Sequence, residues 1–258
     1  MHRLVSLTLA MAVALTACGA AAPDQAAAVP RLRAEVLGTL PHDTAAFTEG
    51  LEIHDGLLYE GTGLAGRSQL RAGPPGAAPA TTVDLPSPLF GEGITVLGAT
   101  VWQLTWQDGI AIERDARTLA ELRRVSYAGE GWGLCHQPGR LVMSNGSDRL
   151  TFRDPATFAA LGQVTVHSGN QTFDQINELE CVGDSVYANV WQTDTILRID
   201  PATGEVTARI DASGLLTGAQ RGQADVLNGI AAIPGTDEFY LTGKFWPLLF
   251  RVKFVRTA

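Results

Sequence analysis

The sequence FGEGITVLGATVWQLTW, residues 90–106, holds the repeating unit of this chain. It contains a Phe-Gly-Glu-Gly turn, an apolar strand, a second turn at Gly98 and a returning strand that ends at Trp106. The glycines on both sides of Glu92 allow the backbone to turn tightly, which brings this carboxylate into a confined space. Trp106 follows Glu92 by fourteen residues, so we expect both at the same end of a hairpin. An acid beside an indole is the first candidate for a functional site.

The same unit recurs along the chain. Five motifs begin apolar strands and can be aligned: Glu49-Gly50-Leu51, Glu92-Gly93-Ile94, Trp132-Gly133-Leu134, Asn177-Glu178-Leu179 and Asn228-Gly229-Ile230. A second strand follows each motif, and third and fourth strands follow in most copies. The starts at positions 49, 92, 132, 177 and 228 give a repeat of 40 to 51 residues, which is typical of a propeller blade. The sequence therefore predicts an all-β fold, a five-bladed β-propeller of four-stranded antiparallel blades.

The two ends of the chain complete one blade in this interpretation. The chain ends on a third strand, LFRVKF, so the fifth blade lacks its outer strand. The segment RAEVLGTLPH, residues 33–42, resembles the outer strands of the other repeats. Its pairing with the last blade would close the ring and remove an open sheet edge. A solenoid or a β-sandwich is the alternative.

The first thirty residues are predicted to lie outside the fold. Residues 1–17 have a weakly basic start and an apolar run at 4–15 that is too short for an ordinary membrane span. The Leu-Thr-Ala-Cys sequence ending at Cys18 resembles the lipobox of bacterial lipoproteins, in which the cysteine is lipidated; a secretory signal cleaved near residues 20–22 is the alternative. Residues 18–30 indicate a flexible tether, and residues 31–258 the catalytic domain. We expect an exported, periplasmic protein that contacts the membrane only through its lipid.

Charge and cysteines exclude some classes of function. The formal net charge is −8 and no Lys/Arg run occurs, which argues against nucleic acid as a partner. Cys135 and Cys181 either form a disulfide in an oxidising compartment or remain buried thiols. Their spacing does not indicate a metal site, and the five histidines are scattered.

The repeat predicts that candidate functional side chains gather at one end of the central channel. The residue at the entry to each innermost strand faces the central channel, and the returning strands and Phe-x-Glu motifs add neighbours. The candidates are Phe47, Glu49, Phe90, Glu92, Trp106, Trp132, Asn177, Trp191, Asn228 and Lys244. Such a set of polar groups and aromatic rings is typical of a small-ligand pocket. Simpler roles are also open: the Trp residues could pack between blades, Asn228 could cap a turn, and Lys244 could be a rim charge. Turn acids such as Asp154 and Asp200 are expected to be structural.

Several long motifs, in the same order, resemble a known family. They are FTEGLEI, FGEGITVLGATVWQLTW, GEGWGL, INELECVGDSVYANVWQTDTILRIDPATG, VLNGIA and LTGKFWP. Between about residues 47 and 254 they are similar to the glutamine cyclotransferases, the plant and bacterial type of glutaminyl-peptide cyclotransferase. The resemblance implies a five-bladed propeller enzyme that converts N-terminal glutamine of peptides to pyroglutamate and releases ammonia.

The resemblance also implies roles for individual residues. Glu92 corresponds to the catalytic acid/base. The substrate-binding positions are Phe47, Glu49, Phe90, Trp106, Trp132, Asn177, Trp191 and Lys244. Plant members have Gln where this chain has Glu49, so which of the two acids holds the working proton is open at this point.

We expect no cofactor, no metal and a monomer whose partners are peptides or proteins with N-terminal glutamine. Two other functions remain as alternatives. One is a metal-dependent, lactonase-like propeller hydrolase, because Glu and Asn oxygens also bind divalent cations. The other is a non-catalytic propeller lipoprotein that binds peptides.

Overall fold

The computed structural model describes residues 29–257, which form an all-β structure with one short helical turn. The N-terminal strand is β1 (Arg31–Pro41), and the first repeat holds β2 (Thr48–His54), β3 (Leu57–Thr62), β4 (Gln69–Gly73) and β5 (Thr81–Asp84). The second holds β6 (Gly91–Leu97), β7 (Thr100–Thr105), β8 (Ile110–Asp115) and β9 (Glu121–Ser126). The third holds β10 (Leu134–Gln137), β11 (Arg140–Met143), β12 (Arg149–Arg153) and β13 (Ala160–Thr165), followed by the short strands β14 (His167–Ser168) and β15 (Gln171–Thr172). The fourth holds β16 (Ile176–Val182), β17 (Ser185–Val190), β18 (Thr195–Ile199) and β19 (Val206–Asp211). After α1 (Gly218–Arg221), the fifth holds β20 (Leu227–Ala232), β21 (Glu238–Gly243) and β22 (Leu248–Arg256).

The first three repeats each form a four-stranded antiparallel sheet in chain order. The last two share one eight-stranded sheet, ordered β16-β17-β18-β19-β1-β22-β21-β20. The predicted pairing of the N-terminal strand is confirmed, because β1 pairs antiparallel with β22 from Leu32 to Pro41. The prediction of separate four-stranded sheets is wrong for this pair of repeats. The reason is that β1 also pairs in parallel with β19 through Arg31, Leu32 and Arg33.

The first strands of the five repeats meet at the centre of the molecule. Neighbouring inner strands contact each other in a closed ring: β2 with β6, β6 with β10, β10 with β16, β16 with β20, and β20 with β2. Glycine makes this approach possible, since a Cβ at Gly93 would lie 2.5 Å from the carbonyl oxygen of Trp132. The Gly93 N–H instead donates to that oxygen over 2.7 Å. A Cβ at Gly50 would lie 2.6 Å from the Ile94 nitrogen. The Gly of the repeated motif is therefore a packing requirement.

A disulfide joins Cys135 of β10 to Cys181 of β16, with their Cα atoms 5.4 Å apart. This bond settles the choice that the sequence left open. It links the inner strands of the third and fourth repeats, where buried Val142, Leu179 and Val186 form part of one core cluster. Because it closes a loop across 46 residues of chain, it restricts the unfolded state more than a short loop would.

The predicted leader lies outside the described residues. This applies to residues 1–17, to Cys18 and to all but the last two residues of the tether at 18–30. Within residues 29–257, no helix is both long enough and apolar enough to span a bilayer.

Three buried carboxyl groups lie between the inner strands below the repeated motifs. Glu178 accepts hydrogen bonds from the Leu51 N–H (3.2 Å) and the Ile230 N–H (2.9 Å), which joins β16 to both β2 and β20. Glu52 accepts from the Val96 N–H (3.0 Å) and Glu180 from the Ala232 N–H (2.9 Å). These side chains supply acceptors for backbone groups that have no strand partner.

Burial gives these carboxyl groups a pH-dependent effect on stability. It raises the pKa of Glu52 to about 7 and the pKa values of Glu178 and Glu180 well above the ordinary range. In the unfolded chain they titrate near the ordinary glutamate pKa of about 4.3. Between these pH values the native state binds more protons than the unfolded state, so stability falls as pH rises. The stabilisation from these protonated carboxyl groups is fully present below their unfolded-state pKa. It is lost as pH rises through their folded-state pKa values.

We therefore expect the Tm to fall by at least about 3 °C between pH 5 and pH 8. For a domain of this size, such a shift corresponds to about 1 kcal/mol of unfolding free energy. Thermal unfolding followed by circular dichroism measures it. Glu52→Gln should make the slope shallower, because it removes one titrating group. Glu35→Gln, a change at an exposed carboxylate of β1, is the control. An unchanged slope in Glu52→Gln would contradict this explanation.

Candidate active site

The motif side chains converge at the ring of inner strands. Glu49 lies in β2, Glu92 in β6, Asn177 in β16 and Asn228 in β20, and all four are buried. Trp132 directly precedes the glycine that leads into β10 and is half-buried. Because the inner strands run side by side, the first residues of β2, β6, β16 and β20 bring these four groups together from the first, second, fourth and fifth repeats, with Trp132 from the third.

Glu49 is held on both of its carboxylate oxygens. Lys244 Nζ lies 2.8 Å from its Oε1, and Asn228 Nδ2 donates to its Oε2 over 3.1 Å. The same Asn228 nitrogen donates to the Thr48 carbonyl over 2.9 Å. Lys244 Nζ is also 4.3 Å from the centroid of the Phe47 ring, a cation–π contact. Lys244 is therefore a buried ion-pair partner rather than a rim charge, and Asn228 anchors an acid rather than capping a turn.

Glu92 differs from Glu49 in its surroundings. It is only 5% exposed, and its Oε2 has no hydrogen-bond partner among the described residues. Burial raises its pKa well above the ordinary glutamate value, and the negative charge of Glu49 adds to this effect. Lys244 opposes the shift but is already paired with Glu49. Burial and the neighbouring charge therefore favour the protonated form of Glu92.

The pKa of Glu49 is also raised, to about 7, because burial disfavours its charge while Lys244 favours it. Two carboxyl groups in one dry site do not readily ionise together. A cation at 2.8 Å and an amide donor stabilise the charged form of Glu49, and no residue between 29 and 257 makes a comparable contact with Glu92. We assign the charge of the pair to Glu49 and the proton to Glu92.

Aromatic rings form the rest of the wall through edge-to-face contacts. Phe47 meets Phe90 with ring centroids 6.1 Å apart, and Phe90 meets Trp106 at 5.6 Å. On the other side, Trp132 meets Trp191 at 5.6 Å. The nine residues named from the family resemblance thus share one region of the molecule. The alternative that these tryptophans only pack between blades does not account for Trp106, which is 37% exposed.

Glu130 connects the two halves of this wall and is the residue that the sequence did not single out. Its Oε2 accepts from Trp106 Nε1 (2.9 Å) and from Trp132 Nε1 (3.0 Å). Its Oε1 accepts from Gln107 Nε2 over 3.0 Å. One carboxylate therefore fixes two indole rings, and its charge contributes to the raised pKa of Glu92. Its only sequence signal is a Glu-Gly pair just before Trp132.

Several buried polar atoms of the site have no hydrogen-bond partner among the described residues. They are Glu92 Oε2, Asn177 Oδ1 and Asn228 Oδ1. An unpaired buried polar atom is costly in a folded protein. All three atoms belong to motif residues at the start of inner strands, where a polar ligand would complete these bonds.

A second buried polar cluster is centred on Glu60 and makes a weaker case for chemistry. A cavity of about 320 Å³ is lined in part by His42, Glu60 and Arg71. Glu60 accepts from His42 Nε2 (3.1 Å) and lies 2.8 Å from Arg71. Although burial opposes it, these two cations lower the pKa of Glu60 to about 2. The cluster is paired within itself, which favours a structural role for it.

The chain also lacks an evident metal site in the described region. Among residues 29–257, no group of three or more His, Cys, Asp or Glu side chains is arranged to hold a metal ion.

Known proteins resemble this chain over most of its length. A family sequence model described as glutamine cyclotransferase matches residues 8–254. A glutaminyl-peptide cyclotransferase of Arabidopsis thaliana is 35% identical over 227 residues, which cover 85% of this chain and 70% of the relative. The crystal structure of Myxococcus xanthus glutaminyl cyclase has a TM-score of 0.83 at 40% identity and covers 89% of this chain and 100% of its own.

A more distant structure shares the architecture alone. It is the β-propeller domain of Cps50 (Swd1) from Myceliophteria thermophila, with a TM-score of 0.52 at 10% identity, covering 87% of this chain and 100% of its own. At this identity the match bears on the fold, and it supports a propeller-like arrangement of the sheets.

Proposed function

The chain belongs to the glutamine cyclotransferase family, and from this premise we propose that Glu92 carries the proton transfers of its reaction. The protein is a glutaminyl-peptide cyclotransferase that converts N-terminal glutamine to pyroglutamate and releases ammonia. The observation that carries the role of Glu92 is its buried carboxyl group beside the Glu49–Lys244 ion pair, with an Oε2 that has no hydrogen-bond partner in the described part of the chain.

The reaction needs one proton removed and one supplied. The neutral α-amine attacks the side-chain amide carbon of its own residue, so a new C–N bond forms and the bond to the departing nitrogen breaks. The attacking nitrogen must lose a proton, and the departing nitrogen must gain one to leave as ammonia. A neutral carboxyl group does both, because one oxygen accepts a proton while the other gives one up. Glu92 ends each turnover in the state in which it began.

Glu49 keeps Glu92 in this neutral state. Its charge, fixed by Lys244 and Asn228, opposes ionisation of the second carboxyl group. We assign Lys244 to holding Glu49, since its ammonium group is already in contact with that carboxylate. We assign Asn177, whose side chain is buried, to holding the substrate: its Nδ2 donates to the amide oxygen as negative charge develops there, and its Oδ1, which has no partner among the described residues, accepts a substrate N–H.

The aromatic rings orient the substrate. The glutamine side chain must fold back on its own amine, which costs conformational freedom. A box of Phe47, Phe90, Trp106, Trp132 and Trp191 restricts this motion before the reaction starts and excludes water. The contact of Glu130 with two of the indoles keeps the box in shape.

The five repeats correspond to five blades in our proposal. The closed ring of inner-strand contacts and the repeated Gly contacts support it. The eight-stranded sheet then consists of two blades whose outer edges join through β1 and β19.

Export and lipidation at Cys18 form a further part of the proposal. The Leu-Thr-Ala-Cys sequence supports a lipid anchor, and the Cys135–Cys181 disulfide supports an oxidising compartment such as the periplasm. The partners proposed are peptides or proteins with N-terminal glutamine, acted on by a monomer. The comparisons do not favour the lactonase-like hydrolase or the non-catalytic binding protein.

Ammonia release from a glutamine-initiated dipeptide tests the function. We expect activity with and without EDTA, and a product that has lost one ammonia by mass spectrometry. The same dipeptide with an acetylated N-terminus is the control and should not react, since its nitrogen is no longer a nucleophile. Folded protein that releases no ammonia would refute the proposal, and loss of activity with EDTA would favour the metal-dependent alternative.

A further inference from the structure

A cavity of about 300 Å³ lies between the fourth and fifth repeats. Its walls come from the turn after β17, from the segment between β19 and α1, and from the segment that leads into β20. Its polar lining includes Gln192, Thr193, Asp194, Arg221 and Asp225. The residues assigned to proton transfer do not line this cavity.

The walls of the cavity continue directly from pocket residues. Gln192 follows Trp191 in the chain and turns the backbone with a φ of 61°. On the other wall, the Asp225 N–H donates to the Lys244 carbonyl over 2.8 Å, and the Lys244 N–H donates to the Val226 carbonyl over 3.0 Å. Asp225 is also close enough to contribute to the raised pKa of Glu49. The cavity and the pocket therefore share a boundary.

A peptide substrate requires such a neighbouring space. Only the first residue cyclises, with its side chain folded back on its amine, so its carbonyl carries the rest of the peptide out of the pocket. We infer that the cavity between the fourth and fifth repeats is the subsite for the second residue of the peptide, an inference that rests on the proposed function.

The lining indicates which second residue the subsite accepts. Leu215, Leu216, Leu227 and Trp246 form a buried apolar floor. Asp194 and Asp225 lie exposed at the rim against one cation, Arg221. A side chain with an apolar stem fits the floor, and two carboxylates against one guanidinium favour a cationic end over an anionic one. The subsite should accept Leu or Lys in the second position better than Glu.

Thr193→Trp tests the subsite by filling it. Thr193 is exposed, so a larger side chain there does not disturb the core. We expect the KM for Gln-Lys-Ala to rise about tenfold, the effect of a lost side-chain contact. The KM for glutaminamide should stay unchanged, because this substrate has no second residue. In the unchanged enzyme, kcat/KM should be lower for Gln-Glu-Ala than for Gln-Lys-Ala.

Thr236→Trp is a matched control. Thr193 Oγ1 donates to the Val190 carbonyl (2.8 Å) and accepts from the Thr195 N–H (3.1 Å). Thr236 Oγ1 makes the same two bonds, to the Ile233 carbonyl (2.8 Å) and from the Glu238 N–H (3.1 Å). Both threonines are exposed in strand turns, but Thr236 lies beyond the end of β20, opposite Asn228. This variant should leave both KM values unchanged.

Equal KM values for Gln-Lys-Ala in the two variants would overturn the subsite, as would an equal rise of KM for glutaminamide in Thr193→Trp. Lack of turnover of both glutaminamide and Gln-Lys-Ala by the unchanged enzyme would instead overturn the proposed function.

Discussion

Replacing Glu92 with Gln is expected to lower kcat by about 10²- to 10⁴-fold, the usual contribution of a general acid–base group. Gln has nearly the same shape and is neutral, like the protonated carboxyl group, but it cannot pass a proton from one nitrogen to the other. Within residues 29–257, Glu92 Oε2 makes no hydrogen bond that the amide would lose. Thermal unfolding should therefore change little. The ammonia assay and circular dichroism measure the two quantities.

Two further variants make this result specific to Glu92. Glu52→Gln removes another buried carboxyl group from the same central region, and it should retain the kcat of the unchanged enzyme. Glu49→Gln removes the charge that raises the pKa of Glu92, so it should shift the pH profile to lower pH and retain more activity than Glu92→Gln. Full activity in Glu92→Gln would remove it from its role, and a larger loss in Glu49→Gln would transfer the proton to that residue.

The ring of inner strands could be predicted from the sequence because one local requirement recurs. The backbones of neighbouring inner strands touch, so glycine follows the motif residue in four of the five repeats. In the fourth repeat Glu178 takes this position, and its carboxylate binds two backbone N–H groups across the ring. The pattern is therefore visible in the residues themselves, and it places Glu49 and Glu92 near each other without knowledge of the other strands.

The joined outer edges could not be predicted, since they depend on three residues. The sequence places the start of the N-terminal strand at Arg33, whereas β1 begins at Arg31 and pairs with β19 through the added residues. Nothing in the composition of Arg31 or Leu32 distinguishes a strand residue from the end of a tether. The contact becomes evident only when the fourth and fifth repeats are placed side by side.

Glu130 was missed for a similar reason. As a sequence feature it resembles turn acids such as Asp154, which accepts the Thr157 N–H over 2.7 Å and has the structural role that was expected. What distinguishes Glu130 is its contact with two indoles from different turns. Likewise, the partner of Asn228 is Glu49, 179 residues away in the chain, and no local pattern reports such a distance.

Lys244→Met is expected to cost about 3–5 kcal/mol of unfolding free energy at pH 8, the usual effect of removing one partner of a buried ion pair. Lys244 is 6% exposed and Glu49 2%, so water does not replace the lost contact. Urea unfolding at pH 5.5 and pH 8 measures this cost. The Glu49→Gln/Lys244→Met double variant should recover most of the stability at pH 8, because no unpaired charge remains.

The stability lost in Lys244→Met should depend on pH, and the titration of Glu49 decides whether the loss is larger at low or at high pH. Lys244 lowers the pKa of this carboxyl group, which burial raises to about 7, so its removal raises the folded pKa further. A raised folded pKa gives stability that is present at low pH and is lost as pH rises through it. Lys244→Met should therefore lose less stability at pH 5.5, where Glu49 is neutral, than at pH 8. A cost that is equal at both pH values, or a double variant no more stable than Lys244→Met, would show that Glu49 is not the charge that Lys244 holds.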